Sequence, residues 1–234
     1  MCTMATQSTA VAQAAAKAAL NNMQQGQQMV QAATQAITDQ QMFIINSFRG
    51  QIYISDTLDV QDTPVYDTLT YAVGGTINLS NNQFFANVEQ GSGKTQAQRN
   101  MTQNNKLDAP EAISVFGIRL GWSEDVLRSD LQTLVNSWAY QFSLGKKYYS
   151  LANLRHYSAG WGLSGATTRT SESFYTNGFP SRGSMNLLEI KLVIANQMSF
   201  YAQLVGNTAQ VLSGAGAGMI LLNELVGLYA RGVQ

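Results

Sequence analysis

Residues Met101–Trp122 read MTQNNKLDAPEAISVFGIRLGW, a stretch in which a polar, turn-rich lead-in passes directly into an apolar run. From Ala112 to Gly121 both alternating sets of side chains are largely apolar, which is typical of a strand covered on both faces. Pro110 cannot donate a backbone hydrogen bond to a neighbouring strand, so we expect the strand to begin just after it. The stretch predicts an exposed loop that leads into a buried strand of an all-β architecture.

Similar short segments recur along the chain between turn signals, and together they make roughly eight strand candidates. Gly74–Gly75 breaks one segment, and Gly145–Lys146 forms a hairpin-like turn inside another. In the last segment, one face carries Ile220, Leu222, Val226 and Leu228. The segments are MFIINSFRGQIYIS (42–55), VYDTLTYAVGGTINL (65–79), QFFANVE (83–89), WAYQFSLGKKYYSLANL (138–154), LLEIKLVIA (187–195), MSFYAQLVG (198–206) and MILLNELVGLYARGVQ (219–234). This spacing predicts a mainly β sandwich or barrel.

One short helix is predicted inside the series of strands. Ser123 can cap it, Glu124 and Asp125 suit its first turn, and apolar residues from Val126 to Trp138 follow with helical spacing. The pattern fits a helix of about four turns, or a shorter helix with an irregular start. Farther along, a predicted long loop rich in Gly, Ser and Thr runs from Ser158 to Arg182. Aromatic residues on a loop of this kind often contact a partner or cover a barrel end.

Residues 1–42 form a low-complexity arm that is dominated by Ala and Gln, with Lys17 and Asp39 as its only charges. This composition favours a long N-terminal α-helix. Met23, Val30 and Ile37 recur every seven residues, so the helix has a narrow apolar seam flanked by small alanines. We expect the arm to dock on the body of the protein or on a neighbouring subunit. A disordered tail is the alternative.

The overall composition indicates a folded protein with little surface charge. Of 234 residues, 45% are hydrophobic and only 12% are charged, with 14 basic and 14 acidic side chains. The charged share is about half of that in a usual soluble domain. A free monomer normally keeps a charged surface and a net charge away from zero. The balance therefore suggests that much of the surface is buried against other copies.

Several classes of function are disfavoured by the same residues. Direct nucleic-acid binding is not expected, because phosphate affinity needs clustered Lys and Arg and no basic run exceeds Lys146–Lys147. Cys2 is the only cysteine, which precludes an intramolecular disulfide and any multi-cysteine metal site. Residues 1–20 lack the pattern of a secretory signal, so we expect no export by that route.

No motif in the chain predicts catalysis or a cofactor. GSGKT at residues 91–95 resembles the end of a phosphate-binding loop, but the first glycine of that motif would fall at Val88. His156 is the only histidine, and a triad would need a nucleophile and an orienting acid beside it. Glu172 and Glu189 are isolated acids that form no evident catalytic pair. We expect no enzyme activity, cofactor or metal.

Three segments resemble parts of one family of viral proteins. RNMTQNNKLDAPEAISVFGIRLGW (99–122) is similar to a pattern with a polar region, a lead-in containing proline and a strand with an Ile-Arg pair, here Ile118–Arg119. LVNSWAYQFSLGKKYYSLANL (134–154) is similar to a helix-then-strand segment with a Gly-Lys turn. MSFYAQLVG (198–206) and ILLNELVGLYARGVQ (220–234) are similar to two closing strands. The family is the jelly-roll capsid proteins of tailless icosahedral viruses, phages with or without an internal membrane.

The resemblance implies one antiparallel jelly-roll domain over residues 43–234, preceded by the helical arm over residues 1–42. Two departures from the family pattern are the missing proline near Leu151 and the length of the Ala/Gln helix. The implied function is that of a capsid subunit that assembles into an icosahedral shell, formed in the host cytoplasm and located in the virion. Its partners would be copies of itself and other capsid proteins, and its arm could also touch an internal viral membrane.

The expected subunit contacts lie on the arm and on the long loop. They are Met23, Val30 and Ile37 on the arm and Trp161, Phe174 and Phe179 on the loop. An alternative function is a β-sandwich module of the virion that binds a receptor or glycan, which would need a concave cluster of exposed Trp and Tyr near Asn and Asp. A hydrolase that uses His156 is a third hypothesis.

Overall fold

The computed structural model describes residues 17–35, 38–39, 58–80, 82–88, 91–123, 126–157, 166–169, 172–175, 187–213 and 218–232. Within these residues the protein is mainly β and all pairing of strands is antiparallel, as the sequence predicts. The predicted strand segment at 42–55 lies outside them. The strands are β1 (Leu58–Gln61), β2 (Val65–Tyr71), β3 (Thr76–Ile77), β4 (Gln83–Phe84), β5 (Ala112–Trp122), β6 (Val126–Leu127), β7 (Trp138–Leu144), β8 (Lys147–Asn153), β9 (Ala166–Arg169), β10 (Glu172–Tyr175), β11 (Leu187–Ile194), β12 (Phe200–Gly206), β13 (Gln210–Val211) and β14 (Met219–Gly232).

Two larger sheets contain most of the strands. In the first sheet the order is β1-β14-β5-β11, and β2 pairs with the N-terminal half of β14 beside β1. In the second sheet the order is β4-β12-β7-β8. Two small sheets, β6-β10-β9 and β13-β3, complete the pairing among the residues described.

The hydrophobic core lies between the two larger sheets. Ile113 and Leu225 from the first sheet belong to the same buried cluster as Phe142 and Phe200 from the second. The rings of Phe85 and Phe200 are 5.3 Å apart. Because side chains of both sheets belong to one buried cluster, the two sheets pack face to face, and these side chains lie on their inner faces.

Strand β5 is buried on both faces, as predicted, but its core-facing residues change parity along the strand. Ile113 and Val115 belong to the core before the change, and Ile118 and Leu120 belong to it after. The register with β14 shifts between Val115 and Gly117, which leaves Phe116 as an extra residue. This β-bulge moves the alternate side chains to the other face.

On β14 the core-facing side chains alternate without interruption. Met219, Leu221 and Leu225 are buried in the core cluster. The face that Ile220 and Leu222 share is therefore the outer face of the first sheet. Periodicity correctly groups the residues of each face but does not identify the buried one.

The polar lead-in to β5 is packed against the core rather than fully exposed. Met101 and Leu107 are buried members of the core cluster. The side-chain oxygen of Asn104 accepts a hydrogen bond from the Val88 amide at 2.7 Å, and the Asn105 carbonyl accepts one from Phe200 at 2.9 Å. The predicted loop is therefore exposed only in part: Thr102, Lys106 and Ala109 are exposed, while two buried apolar side chains and backbone bonding hold the lead-in against the sheets.

The inserted helix is the shorter of the two predicted forms. Helix α2 (Arg128–Ser137) follows directly after β6 and begins without a side-chain cap. Ser123, the predicted cap, instead accepts a hydrogen bond from the Ile220 amide at 3.1 Å. A single 3-10 turn (Leu154–Tyr157) follows β8. The predicted loop from Ser158 to Arg182 contains a hairpin, because β9 and β10 pair with each other and β10 also pairs with β6.

Candidate assembly surfaces

An exposed helix without charged residues in its body lies inside the predicted arm. Residues 17–35 form helix α1, and every residue except Gly26 is exposed. Lys17, at its start, is its only charged residue. Most of the stability of a helix in a protein comes from packing an amphipathic face, and α1 has no such packing in a single copy. The helix is therefore a candidate surface for contact with a partner.

The apolar seam of α1 is directed into solvent. Leu20, Met23 and Val30 are exposed by 56%, 65% and 66%, and their spacing places them on one side of the helix. Met29 lies on the opposite side and is exposed by 70%. Of the predicted arm contacts, Met23 and Val30 are thus accessible, and Ile37 lies outside the described residues.

The outer face of the second sheet contains no charged side chain at the ten positions that the strand register aligns. Residues that face each other across antiparallel strands share a face, so the register defines three rows. The rows are Tyr201, Ser143 and Tyr148; Gln83, Gln203, Gln141 and Leu151; and Val205, Ala139 and Asn153. The solvent-facing side of a sheet in a soluble protein is usually lined with polar and often charged residues. The absence of charge at these ten positions marks the face as a second candidate contact surface.

Apolar and neutral polar groups make up this outer face. Tyr148 and Leu151 on β8 are exposed by 71% and 64%, and Val205 on β12 is exposed by 37%. Gln203 donates a side-chain hydrogen bond to Gln141 across the sheet at 3.3 Å. Because Gln141 and Ser143 on β7 are buried, the accessible part of the face lies mainly on β8 and β12.

The outer face of the first sheet differs, because it carries an ion pair. Arg119 on β5 lies directly opposite Glu224 on β14, and the guanidinium and carboxylate are 2.8 Å apart. Burial raises the pKa of Glu224, and Arg119 opposes that shift. Covering this face with a partner would desolvate a charged pair, which costs free energy.

The GSGKT segment closes the edge of β2 instead of forming a phosphate site. The Lys94 ammonium contacts the Asp67 carboxylate at 2.6 Å and donates to the Thr68 carbonyl at 2.7 Å. Asp67 is fully buried and also accepts from the Phe85 amide at 2.7 Å. The charge of Lys94 is therefore compensated inside the protein. This geometry offers no support for nucleotide binding.

Asn100 extends the same cover along β2. Its side-chain oxygen accepts from the Tyr66 amide at 2.9 Å, and its amide nitrogen donates to the Pro64 carbonyl at 2.7 Å. These bonds occupy backbone groups at the edge of the first sheet. An edge covered in this way is protected from uncontrolled strand pairing.

The three candidate catalytic residues lie on different elements of the described structure. His156 is exposed on the 3-10 turn, and its ring meets the edge of the Tyr157 ring at 5.1 Å. Glu189 is exposed on β11, and Glu172 is on β10. Within the described ranges, no group of three or more His, Cys, Asp or Glu side chains could hold a metal ion.

Large aromatic side chains mostly enter the core. Trp122, Trp138, Tyr140 and Tyr157 are all buried. A cavity of about 570 Å³ lies beside Lys94, between β2 and the end of β4, and its lining contains no aromatic ring. The glycan-binding alternative calls for exposed Trp and Tyr in a concave cluster, and the described tryptophans are not available for one.

The predicted loop contacts are placed only in part. Phe174 lies on β10, opposite Leu127 and Thr167 in the small sheet. Trp161 and Phe179 are outside the described residues. The subunit-contact role of the arm and loop residues stays a prediction.

Sequence reasoning missed the outer face of the second sheet. The signal was present in the alternation of FYAQLVG and YQFSL, in which the polar set is neutral throughout. The apolar residues of these segments are sufficient to predict the strands. The absence of charge among the residues that alternate with them is the sign of an uncharged outer face.

A membrane-crossing helix is also not found in the part of the chain that the structure describes: neither α1 nor α2 is long and apolar enough to cross a bilayer.

Comparison with known proteins gives no relative from which a function could be transferred. No protein-family model, curated protein or solved structure matches the chain significantly. The features of the chain that bear on function are the pairing of its strands, the exposed helix α1 and the uncharged outer face of the second sheet.

Proposed function

We propose that this protein is a jelly-roll subunit of a virion shell that assembles with copies of itself. The pairing of eight strands supports the jelly roll. In chain order they are β2, β4, β5, β7, β8, β11, β12 and β14, and the first pairs with the last, the second with the seventh, the third with the sixth and the fourth with the fifth. This is the nesting of one long hairpin folded back on itself.

Two further pairings roll this hairpin into a sandwich. β14 pairs with β5, which joins two of the four strand pairs into the first sheet, and β12 pairs with β7, which joins the other two into the second. Eight antiparallel strands paired in this order in two sheets support a jelly roll, the fold of viral capsid proteins, lectins and cupins.

The surfaces favour a shell subunit among the functions that this fold supports. A fold alone does not imply a function. Helix α1 is exposed along its length, and the outer face of the second sheet has no charge at its ten positions. With 12% charged residues and no net charge, the chain is suited to burying surface against neighbours. The resemblance of three segments to capsid proteins of tailless icosahedral viruses points the same way.

The mechanism of the proposed function is burial of neutral surface between subunits. A specific contact of standard size buries about 800 Å² on each partner. Closed symmetry repeats such a contact around the shell, so modest individual contacts give a stable particle. The arm, with Met23, Val30 and Ile37, and the loop, with Trp161, Phe174 and Phe179, supply contacts to copies of the chain and to other capsid proteins.

The location follows from the same proposal. The protein would be made and assembled in the host cytoplasm and would remain in the virion. The arm could lie against an internal viral membrane, although it lacks the basic face of typical surface-binding helices.

The test is the assembly state of the purified full-length chain. Light scattering after size exclusion, combined with negative-stain electron microscopy, should give closed particles or symmetric oligomers. A chain that stays monomeric at its highest soluble concentration, alone or expressed together with other shell proteins of the same virus, would contradict the proposal.

The receptor- or glycan-binding alternative is favoured by one observation only. Tyr148 and Tyr149 on β8 are exposed by 71% and 48%, and exposed rings can stack on sugars. A monomer that binds a glycan, and loses the binding in Tyr148→Ala, would support this alternative over the shell subunit.

A further inference from the structure

Helix α1 is exposed in a single copy, and so are Tyr148, Leu151 and Val205 on the uncharged outer face of the second sheet, whereas Gln141 and Ser143 at its centre are already buried. We propose that helix α1 of one copy packs across the outer face of the second sheet of a neighbouring copy. The inference rests on the proposed shell function and specifies one of its contacts. It assigns the partner of a sheet face that the sequence did not identify.

The charges of the two surfaces are compatible. Residues 18–35 of α1 contain no charged side chain, and neither do the ten positions of the outer face. Their contact would therefore desolvate no ion, which is the largest cost of burying polar surface. Covering the outer face of the first sheet would instead desolvate the pair of Arg119 and Glu224.

The dimensions of the two surfaces also agree. Helix α1 covers residues 17–35, which at about 1.5 Å per residue gives about 28 Å. Strands β7, β8 and β12 have seven residues each, which at about 3.4 Å per residue gives about 24 Å. A helix laid along these strands would cover the full length of the face.

The side chains on the two surfaces can pair by type. Leu20, Met23 and Val30 on the seam of α1 would meet the exposed Leu151 and Val205 of the sheet. Gln27 lies in the same seam between Met23 and Val30, so its amide can bond the half-buried amide of Gln203 on the outer face. Apolar contact around a satisfied polar centre is the usual composition of a protein interface.

A neighbouring copy is the appropriate partner, because within one copy α1 stays exposed on all sides. The 18 residues between Asp39 and Leu58 can span up to about 60 Å, which is more than twice the length of the outer face. A contact between two different surfaces is heterologous, so each copy would donate its helix to one neighbour and accept one from another. Such contacts close into rings when the rotation between copies allows it.

The experiment is disulfide trapping between two differently tagged full-length chains in a Cys2→Ser background. One chain carries Met23→Cys and the other Leu151→Cys, and they are mixed under assembly conditions and oxidised. The expected product is a disulfide-linked pair that carries both tags. The yield should exceed several-fold that of two control pairings with equally exposed positions.

The controls change one partner at a time. Met29→Cys replaces Met23→Cys and tests the opposite side of α1, where Met29 is exposed by 70%. Ile190→Cys replaces Leu151→Cys and tests the first sheet, where Ile190 on β11 is exposed by 77%. Equal trapping in the controls would overturn the proposal, and so would no trapping in the main pair.

Two further results also overturn it. One is a preferred disulfide between two Met23→Cys helices, which would mean that arms pair with arms. The other is a disulfide within a chain that carries both Met23→Cys and Leu151→Cys, formed in preference to the two-tag product, which would mean docking within one copy. If closed particles form without the two-tag product, this contact is wrong while the shell function stands. If the two-tag product forms but the chain gives neither closed particles nor symmetric oligomers, the shell function fails and this contact stands.

Discussion

At the scale of single residues, Gly227 is required by the close approach of two backbones. It lies on β14 opposite the bulge of β5, where the partner of Val226 is Gly117 and the partner of Gly227 is Val115. A Cβ atom at Gly227 would overlap the carbonyl group of Ser114. Because the obstacle is backbone, it cannot move aside as a flexible side chain could. The position therefore holds the bulge in its register.

Replacing Gly227 by Ala should destabilise the protein by about 3 kcal/mol, the upper end of the range for overpacking. The matched control is Gly232→Ala on the same strand, whose added methyl would meet only the Pro110 ring at 3.3 Å. That change should cost well below about 1 kcal/mol. Urea unfolding monitored by circular dichroism measures both. Equal stability of the two variants would show that the backbones do not approach as described.

The buried ion pair of Asp67 and Lys94 should be far more sensitive than an exposed one. Asp67→Ala leaves the Lys94 ammonium without its carboxylate and the Phe85 amide without its acceptor. We expect a loss of about 3 kcal/mol in the free energy of unfolding. Asp59→Ala breaks a pair with Arg231 whose side chains are 44% and 49% exposed, and should cost less than about 1 kcal/mol. Similar losses in urea unfolding would contradict the structural role of Lys94.

Buried tyrosines should make the fold sensitive to alkali. Burial raises the pKa of Tyr71, Tyr140 and Tyr229 above the ordinary value. A raised folded pKa means that the unfolded chain loses its proton first, so stability is intact below about pH 10 and is lost as the pH rises above it. Unfolding free energy at a series of pH values, with tyrosinate absorbance, should show this fall, and Tyr140→Phe should reduce it. Titration of all tyrosines near their ordinary pKa in a folded protein would refute the prediction.

At the scale of elements, the sequence predicts the strands well and their faces less well. The alternation in β5 correctly indicates cover on both faces. The alternation does not reveal the bulge at Phe116, because both alternating sets of residues in β5 are largely apolar. The start of α2 was open for a similar reason, since Val126 and Leu127 fit a helical spacing as well as the short strand that they form. Local sequence patterns therefore predict the type of an element more reliably than its first and last residues.

Helix α1 should act through one side only. The double variant Met23→Glu and Val30→Glu places charge on the apolar seam, whereas Met29→Glu places it on the opposite, equally exposed side. Because all three positions are exposed, both variants should keep the β fold, as circular dichroism and thermal unfolding can check. Assembly measured by light scattering should be lost in the double variant and kept in Met29→Glu. Equal assembly of the two variants would contradict a role of the apolar seam in assembly.

At the scale of the whole molecule, the pairing of strands was beyond the reach of sequence periodicity. Alternation identifies which residues share a face, but a strand such as β2 gives no local sign that its partner is β14, more than 140 residues away. The uncharged outer face is likewise a property of three strands together. Tyr201, Ser143 and Tyr148 form one row only after β12, β7 and β8 are aligned. The composition predicted buried neutral surface, and the outer face of the second sheet is a candidate for it.

The central claim is that this chain is a jelly-roll subunit of a closed shell, and a cryo-electron microscopy reconstruction of the purified assembly tests it most directly. We expect closed particles whose subunits show the first sheet as β2-β14-β5-β11 and the second as β4-β12-β7-β8. We also expect helical density from a neighbouring copy across the second sheet. Monomers without higher assemblies, or particles whose subunits pair their strands in another order, would contradict the central claim.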